Sequence, residues 1–93
     1  MLLGSLQIKL RIPEANSLKA KRAVIKSIVA RIRSKFNVSV SEVDDHDLWQ
    51  SAFLGVVMVG NERKHMDGVL SKVLDLVRAE PRLELLDMQL DFF

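Results

Sequence analysis

Hydrophobic and polar residues alternate from the start of this chain. Leu6, Ile8, Leu10 and Ile12 fall in one phase, and Ser5, Gln7, Lys9 and Arg11 in the other. A period of two predicts a half-buried strand over residues 2–12, and Pro13 ends it because proline cannot donate to a ladder. The period then changes. Leu18, Ile25, Ile28, Val29, Ile32 and Phe36 recur at helical spacing, with Val24 at the margin. They predict a helix from about Leu18 to Phe36, with Ser17 as N-cap and Asn37 as a C-terminal cap. Val38, Val40 and Val43 predict a second strand, and Asp44-Asp45-His46-Asp47 a polar loop. Gln50 to Val59 reads as a third strand, apolar on both faces like a central strand. Gly55 within it marks a bulge or a close approach.

The second half repeats the alternation of elements. Asn61 is the expected cap of a second helix, whose stripe is Met66, Val69, Leu70, Val73, Leu74 and Val77. Gly68 lies opposite that stripe, where it costs roughly 1 kcal/mol against alanine. Pro81 is expected to stop the helix. Leu83 to Phe92 reads as the last strand, with a shift of apolar phase between Leu85 and Leu86 that a bulge would restore. The order is strand, helix, strand, strand, helix, strand. Each helix can bury one stripe only, so both should cover one face of a single sheet. Right-handed crossovers then favour an α+β, ferredoxin-like βαββαβ sandwich, with a four-stranded antiparallel sheet in the order 4-1-3-2. The core should include Leu6, Ile8, Ile25, Ile28, Ile32, Val73, Leu74 and Val77.

Ninety-three residues make one domain, 1–93, with enough chain for a core that needs no covalent staple. There is no cysteine, which excludes disulfides and thiolate metal sites and is compatible with a reducing cytosol. The apolar start, Met1 to Ser5, is too short for a signal peptide, and no run reaches membrane-spanning length. A cytoplasmic protein is expected.

Charge adds the first functional hint. Seven of the fourteen Lys and Arg residues lie between Ala15 and Ser41, a stretch with no acidic residue. Residues 1–47 carry nine Lys and Arg against five Asp and Glu, and residues 48–93 five against seven. A polarised surface follows if the fold keeps those halves apart. At 100° per residue, Lys19, Arg22, Lys26 and Arg33 lie within about 60° of one another, beside the apolar stripe. Such a row can follow a phosphate backbone. Lys21, Arg31 and Lys35 point elsewhere and would widen the patch. The competing reading is an ordinary solvated face whose cations pair with acids from other elements.

Three blocks of residues resemble one family. Ser17-Leu18-Lys19-Ala20-Lys21-Arg22 is similar to the opening of the first helix in the YlxP-like family of small bacterial proteins. Phe36-Asn37-Val38-Ser39-Val40-Ser41-Glu42-Val43 and Asp47-Leu48-Trp49-Gln50 resemble its next two blocks, with Ser41 replacing an expected alanine. The resemblance covers nearly the whole chain. It implies a ferredoxin-like fold and an association with genes for transcription elongation, translation initiation and ribosome maturation. It brings no catalytic residues.

Other constellations carry less. The carboxylates around His46 sit in four adjacent loop positions, which cannot all converge on a metal without a contorted backbone. Turn chemistry is the expected role, with Asp47 fixing the loop before Leu48 and Trp49. Trp49 is expected to cap the end of the core through its indole N–H, against the alternative of a partner-binding anchor. No nucleophile pattern is present. The loop Pro13 to Ser17 lacks the glycine-rich phosphate cradle of acylphosphatase, which shares the topology. No enzyme activity, cofactor or metal is therefore expected. The sequence reads as a non-enzymatic protein binding RNA or a ribosomal surface through Lys19, Arg22, Lys26 and Arg33. The alternative is a homo-oligomeric, ACT-like regulatory or small-ligand-binding domain. A homo-oligomer, a dimer in the simplest case, is expected on either reading. The third strand is apolar on both sides while the helices cover only one, leaving either Phe53, Val57 and Val59 or Leu54, Val56 and Met58 open. The second strand is an uncharged edge at Ser39 and Ser41, so the contact is expected through the open face or through that strand.

Overall fold

A computed structural model describes all 93 residues. Its elements follow in the order β1 (Leu2–Arg11), α1 (Leu18–Lys35), β2 (Ser39–Asp44), β3 (Ser51–Gly60), α2 (Arg63–Arg78) and β4 (Glu84–Phe92). The four strands form one antiparallel sheet in the order β2-β3-β1-β4, the predicted order read from the other edge. β1 and β3 are central and pair along their whole length, from Leu2 opposite Gly60 to Arg11 opposite Ser51.

Alternation decides which face is covered. Leu6, Ile8 and Leu10 of β1 and Leu54 and Val56 of β3 point to the helices and are fully buried. They meet Ile28 and Ile32 of α1 and Leu70 and Val73 of α2, also fully buried. Every residue expected in the core is there. Phe53, Val57 and Val59 are the residues left on the open face.

Both irregularities are bulges. Pairing passes from Lys9 opposite Asp87 to Leu10 opposite Leu85, so Leu86 is the extra residue that restores the apolar phase of β4. A second shift leaves Val43 unpaired on β2. Val43 then lies over Gly55, where an added Cβ would come within 3.0 Å of its Cγ1. Gly55 is thus a site of close approach.

Helix ends depart from expectation. Ser17 caps α1 as predicted, its Oγ accepting from Ala20 N at 3.0 Å. At the other end Phe36 is already extended and packs on the core, so the chain leaves the helix without an Asn37 cap. Glu62, not Asn61, holds the N-cap position of α2, with no side-chain hydrogen bond. That helix closes at Arg78, before Pro81 is reached.

Candidate nucleic-acid interface

The fold interleaves the two halves of the chain, so the charge asymmetry between halves does not become a surface asymmetry. A different and larger one replaces it. The two helices carry eleven Lys and Arg against two Asp, a net +9. The strands and loops carry three against ten, a net −7. Because both helices lie on one face, that face is cationic, while the strands alone carry two Lys and Arg against five Asp and Glu, a net −3.

Within the cationic layer the predicted row is mostly free. Lys19, Arg22, Lys26 and Arg33 are all exposed. None reaches ion-pair distance of a carboxylate. There is no acid in the first turn of α1, so no local partner competes for them. Arg33 differs from the other three. Its Nη2 donates to the Val40 carbonyl of the edge strand β2 at 2.8 Å, which ties the end of α1 to the sheet. Lys19, Arg22 and Lys26 are the freely available cations, and Lys35 is exposed at the end of the helix.

Two cations of the acid-free stretch do not belong to the patch. Lys21 does not widen it, for its side chain is fully buried. It stands four residues before Ile25 and seven before Ile28, in the middle of the apolar stripe. Its Nζ lies 2.8 Å from Glu42 Oε2 and donates to the Asp45 carbonyl. The one ammonium thus faces both the Asp45 carbonyl and Glu42 Oε2, and that oxygen has no other partner. The spacing carried this signal, and so did β2, where Val40 and Glu42 share the inward phase. Arg31 is the second exception. It donates to Glu80 Oε1 at 3.1 Å. Glu80 also accepts from the backbone N–H and guanidinium of Arg82 at 2.8–3.1 Å. Those hydrogen bonds, Arg82 first, hold its carboxyl down at about 2. The clamp joins α1 to the turn between α2 and β4.

The polar loop is organised by Asp45, not Asp47. Asp45 has a φ of 64°, a left-handed conformation that aspartate tolerates. Its Oδ2 accepts from Lys9 Nζ and Ser51 Oγ, each at 2.7 Å. Its carbonyl accepts from Leu48 N at 3.1 Å as well as from Lys21. The Lys9 hydrogen bond, helped by that of Ser51, lowers the Asp45 carboxyl below its ordinary value. No three His, Asp or Glu side chains converge here or elsewhere. His46 and His65 stand at opposite ends of β3. Trp49 does not cap the core: it is 54% exposed, beside an equally open Leu48. The loop joins a buried lysine to an exposed tryptophan, and neither placement follows from composition.

The open sheet face carries mixed chemistry. Val43, Val57 and Val59 are exposed along it, and Phe53 is half-buried with Lys9 Nζ 5.9 Å from its ring centroid. A cavity of about 50 Å³ lies between Gln7, Lys9, Phe53, Asp87, Met88 and Gln89.

Comparison with known proteins agrees with this architecture. The Bacillus subtilis (strain 168) protein YlxP, described as uncharacterized, is 37% identical over 83 residues, 89% of this chain and 90% of that one. The solution structure of a de novo designed protein with ferredoxin fold, LFR1 1, superposes with a TM-score of 0.59 at 10% identity. It covers 97% of this chain and 85% of its own, a likeness of fold alone. No helix here is long and apolar enough to cross a membrane. The family profile described as "Protein of unknown function (DUF503)" matches residues 3–90, and with that near end-to-end match the chain belongs to the DUF503 family.

Proposed function

We propose that this protein is a non-enzymatic, cytoplasmic RNA-associated protein that docks on ribosomal RNA through the cationic flank of α1. Lys19, Arg22 and Lys26 bind phosphates. Arg33 supports the end of the row while one of its N–H groups holds Val40. One observation carries this reading: three exposed cations on an acid-free helix have no carboxylate partner. A solvated face of mixed charge would have paired them, as Glu80 pairs Arg31.

Co-sedimentation with ribosomal subunits across a salt series tests it. Counterion release makes phosphate binding fall steeply with salt. Lys19→Gln with Lys26→Gln should lower the salt slope by about two charge equivalents and weaken sedimentation throughout. These two positions are preferable to Arg33, whose loss would also release the Val40 carbonyl. A double variant that sediments like the parent at every salt concentration defeats the reading.

Self-association fits alongside RNA binding. It draws on the exposed valines of β2 and β3, which lie on the face opposite the helices. A ligand-binding, ACT-like role has less support: the cavity between β1 and β4 on the open face holds only about 50 Å³, and the larger concavities of about 360–400 Å³ are shallow surface depressions that do not enclose a small molecule.

A further inference from the structure

Gly68 is the least explained residue of the cationic layer. It sits inside α2, on the exposed side, with an ordinary helical backbone. An added Cβ would meet nothing within 4 Å. Neither a turn, a positive φ nor a packed neighbour requires glycine there. A helix-interior glycine destabilises its helix, and what the missing side chain provides at this position is access to the helix surface.

The surroundings indicate what would approach. Gly68 forms the floor of a shallow concavity of about 380 Å³ walled by Lys64, His65, Val69 and Lys72, with Glu62 at its rim. Lys64 and Lys72 lie one turn to either side of the glycine, and neither is ion-paired. His65 and Val69 are shared with a second concavity of about 400 Å³ that runs to Lys35 and Asn37 at the end of α1. The open floor of α2 therefore reaches exposed Lys35 at the C-terminal end of α1, the end opposite Lys19 and Arg22.

We infer that the Gly68 concavity is a second phosphate-backbone contact, and that the RNA bound across the two helices is double-helical. This deepens the reading of α1 as an RNA-binding helix and rests on it. With buried Lys21 and clamped Arg31 set aside, the two helices keep nine Lys and Arg against two Asp, a net +7 that supplies the charge complementarity. The class of RNA follows from the aromatic residues. Neither α1 nor α2 contains a Phe, Trp or Tyr. Single strands are held by bases stacked on aromatic side chains, whereas duplex RNA is held by shape, phosphates and 2′-hydroxyls. The rings beside this surface are His65 and, at the end of α1, Phe36, which is half-buried against the core, so the stacking area is small and the cationic surface suits the duplex. The aromatics of the open sheet face, Phe53 and the terminal Phe93, share it with Glu84, Asp87 and Asp91, while its cations Lys9 and Arg11 are already ion-paired, so that face disfavours phosphate.

The test uses the full chain, a 20-base-pair RNA duplex of mixed sequence and one of its single strands. Binding is measured from about 50 to 200 mM salt, where counterion release is resolved. Lys64→Gln with Lys72→Gln should weaken duplex binding on the order of tenfold and lower the salt slope by about two charge equivalents. Gly68→Gln should weaken it comparably by filling the floor, without altering charge and without lowering the melting temperature. The parent should prefer duplex to single strand. If the Lys19→Gln, Lys26→Gln variant loses binding while the α2 and Gly68 variants bind like the parent, this inference is wrong and the α1 reading stands. If none of the variants changes binding, both fall. Equal affinity for the single strand overturns the assignment of RNA class. If the α2 lysines instead control self-association of the protein alone at low salt, with RNA binding unchanged, the helix layer meets the net-negative strands of a second copy and the inference is overturned.

Discussion

Lys21 of α1 and Glu42 of β2 form an ion pair across the helix–sheet boundary, Nζ to Oε2 2.8 Å, with the lysine side chain fully buried. Burying an ammonium is costly unless it is paired, and the partners here are one carboxylate and one carbonyl. Removing one partner should therefore cost more than removing both. Glu42→Ala is expected to destabilise by about 3–5 kcal/mol, because it leaves an uncompensated buried charge. Lys21→Met combined with Glu42→Leu should recover a large part of that loss. Urea titrations of the parent, Lys21→Met, Glu42→Leu and the Lys21→Met, Glu42→Leu double variant close a double-mutant cycle that measures the coupling, and additive single effects would contradict the arrangement.

Glu80 predicts a pH dependence. In the folded chain its carboxyl is held at about 2, against an ordinary value of 4.5, chiefly by hydrogen bonds from Arg82. A depressed acid stabilises the fold above its unfolded value, since below that point the unfolded chain takes up the proton first. Its contribution is complete above about pH 4.5 and lost progressively as pH falls towards 2. Asp45, also lowered by its partners, adds a loss in the same direction at acid pH. Glu80→Gln should destabilise on the order of 1–3 kcal/mol at neutral pH. It should also flatten the decline of melting temperature below pH 4.5. An unchanged acid limb would mean that the clamp does not hold in solution.

Most of the fold was legible because the apolar phase changes cleanly between periods of two and 3.6. The core positions of β1, α1, β3 and α2 follow from that phase, and the bulge at Leu86 from its one break. The candidate site was legible in part. Lys19, Arg22 and Lys26 are open, as a helical wheel places them. Lys21 was misread because a lysine is assumed to be outside, although its spacing to Ile25, Ile28 and Ile32 puts it inside. Asp45 and Trp49 were not legible. Which of three loop carboxylates turns inward depends on Lys9 and Ser51, residues brought to it only by the sheet register.

Core packing can be checked at Ile28, which is fully buried between the sheet and the helices. Ile28→Ala should cost about 2–5 kcal/mol through lost burial and the cavity left behind. A smaller loss would mean that the layers collapse onto the gap.

The exposed floor of α2 gives a prediction of opposite sign. Nothing lies within 4 Å of a Cβ at position 68, and the backbone there is helical. Gly68→Ala should stabilise the protein by about 0.5–1 kcal/mol, through helix propensity and a less disordered unfolded chain. For a domain of this size that raises the melting temperature by roughly 2–8 °C. A gain in stability from a residue that touches nothing would show that the natural glycine is not kept for folding.

Self-association should use the open sheet face. Val59 is 62% exposed, and Val43 and Val57 continue the same surface beside Phe53. Strands of 10, 6, 10 and 9 residues, about 4.8 Å apart at about 3.3 Å per residue, present on the order of 550 Å². Two such faces would bury about 1,100 Å², just under the usual range of a stable interface, which favours a weak dimer. The two edge strands differ. Asp87 and Asp91 guard the β4 edge, while on β2 Arg33 occupies only the Val40 carbonyl, so the β2 edge is the one left for a competing, edge-to-edge contact. Light scattering should show a dimer at high micromolar concentration. Val59→Lys should return it to a monomer with its circular dichroism unchanged, since that side chain already points to solvent. A parent protein that is monomeric under these conditions would leave the exposed valines as bare surface and remove the case for association.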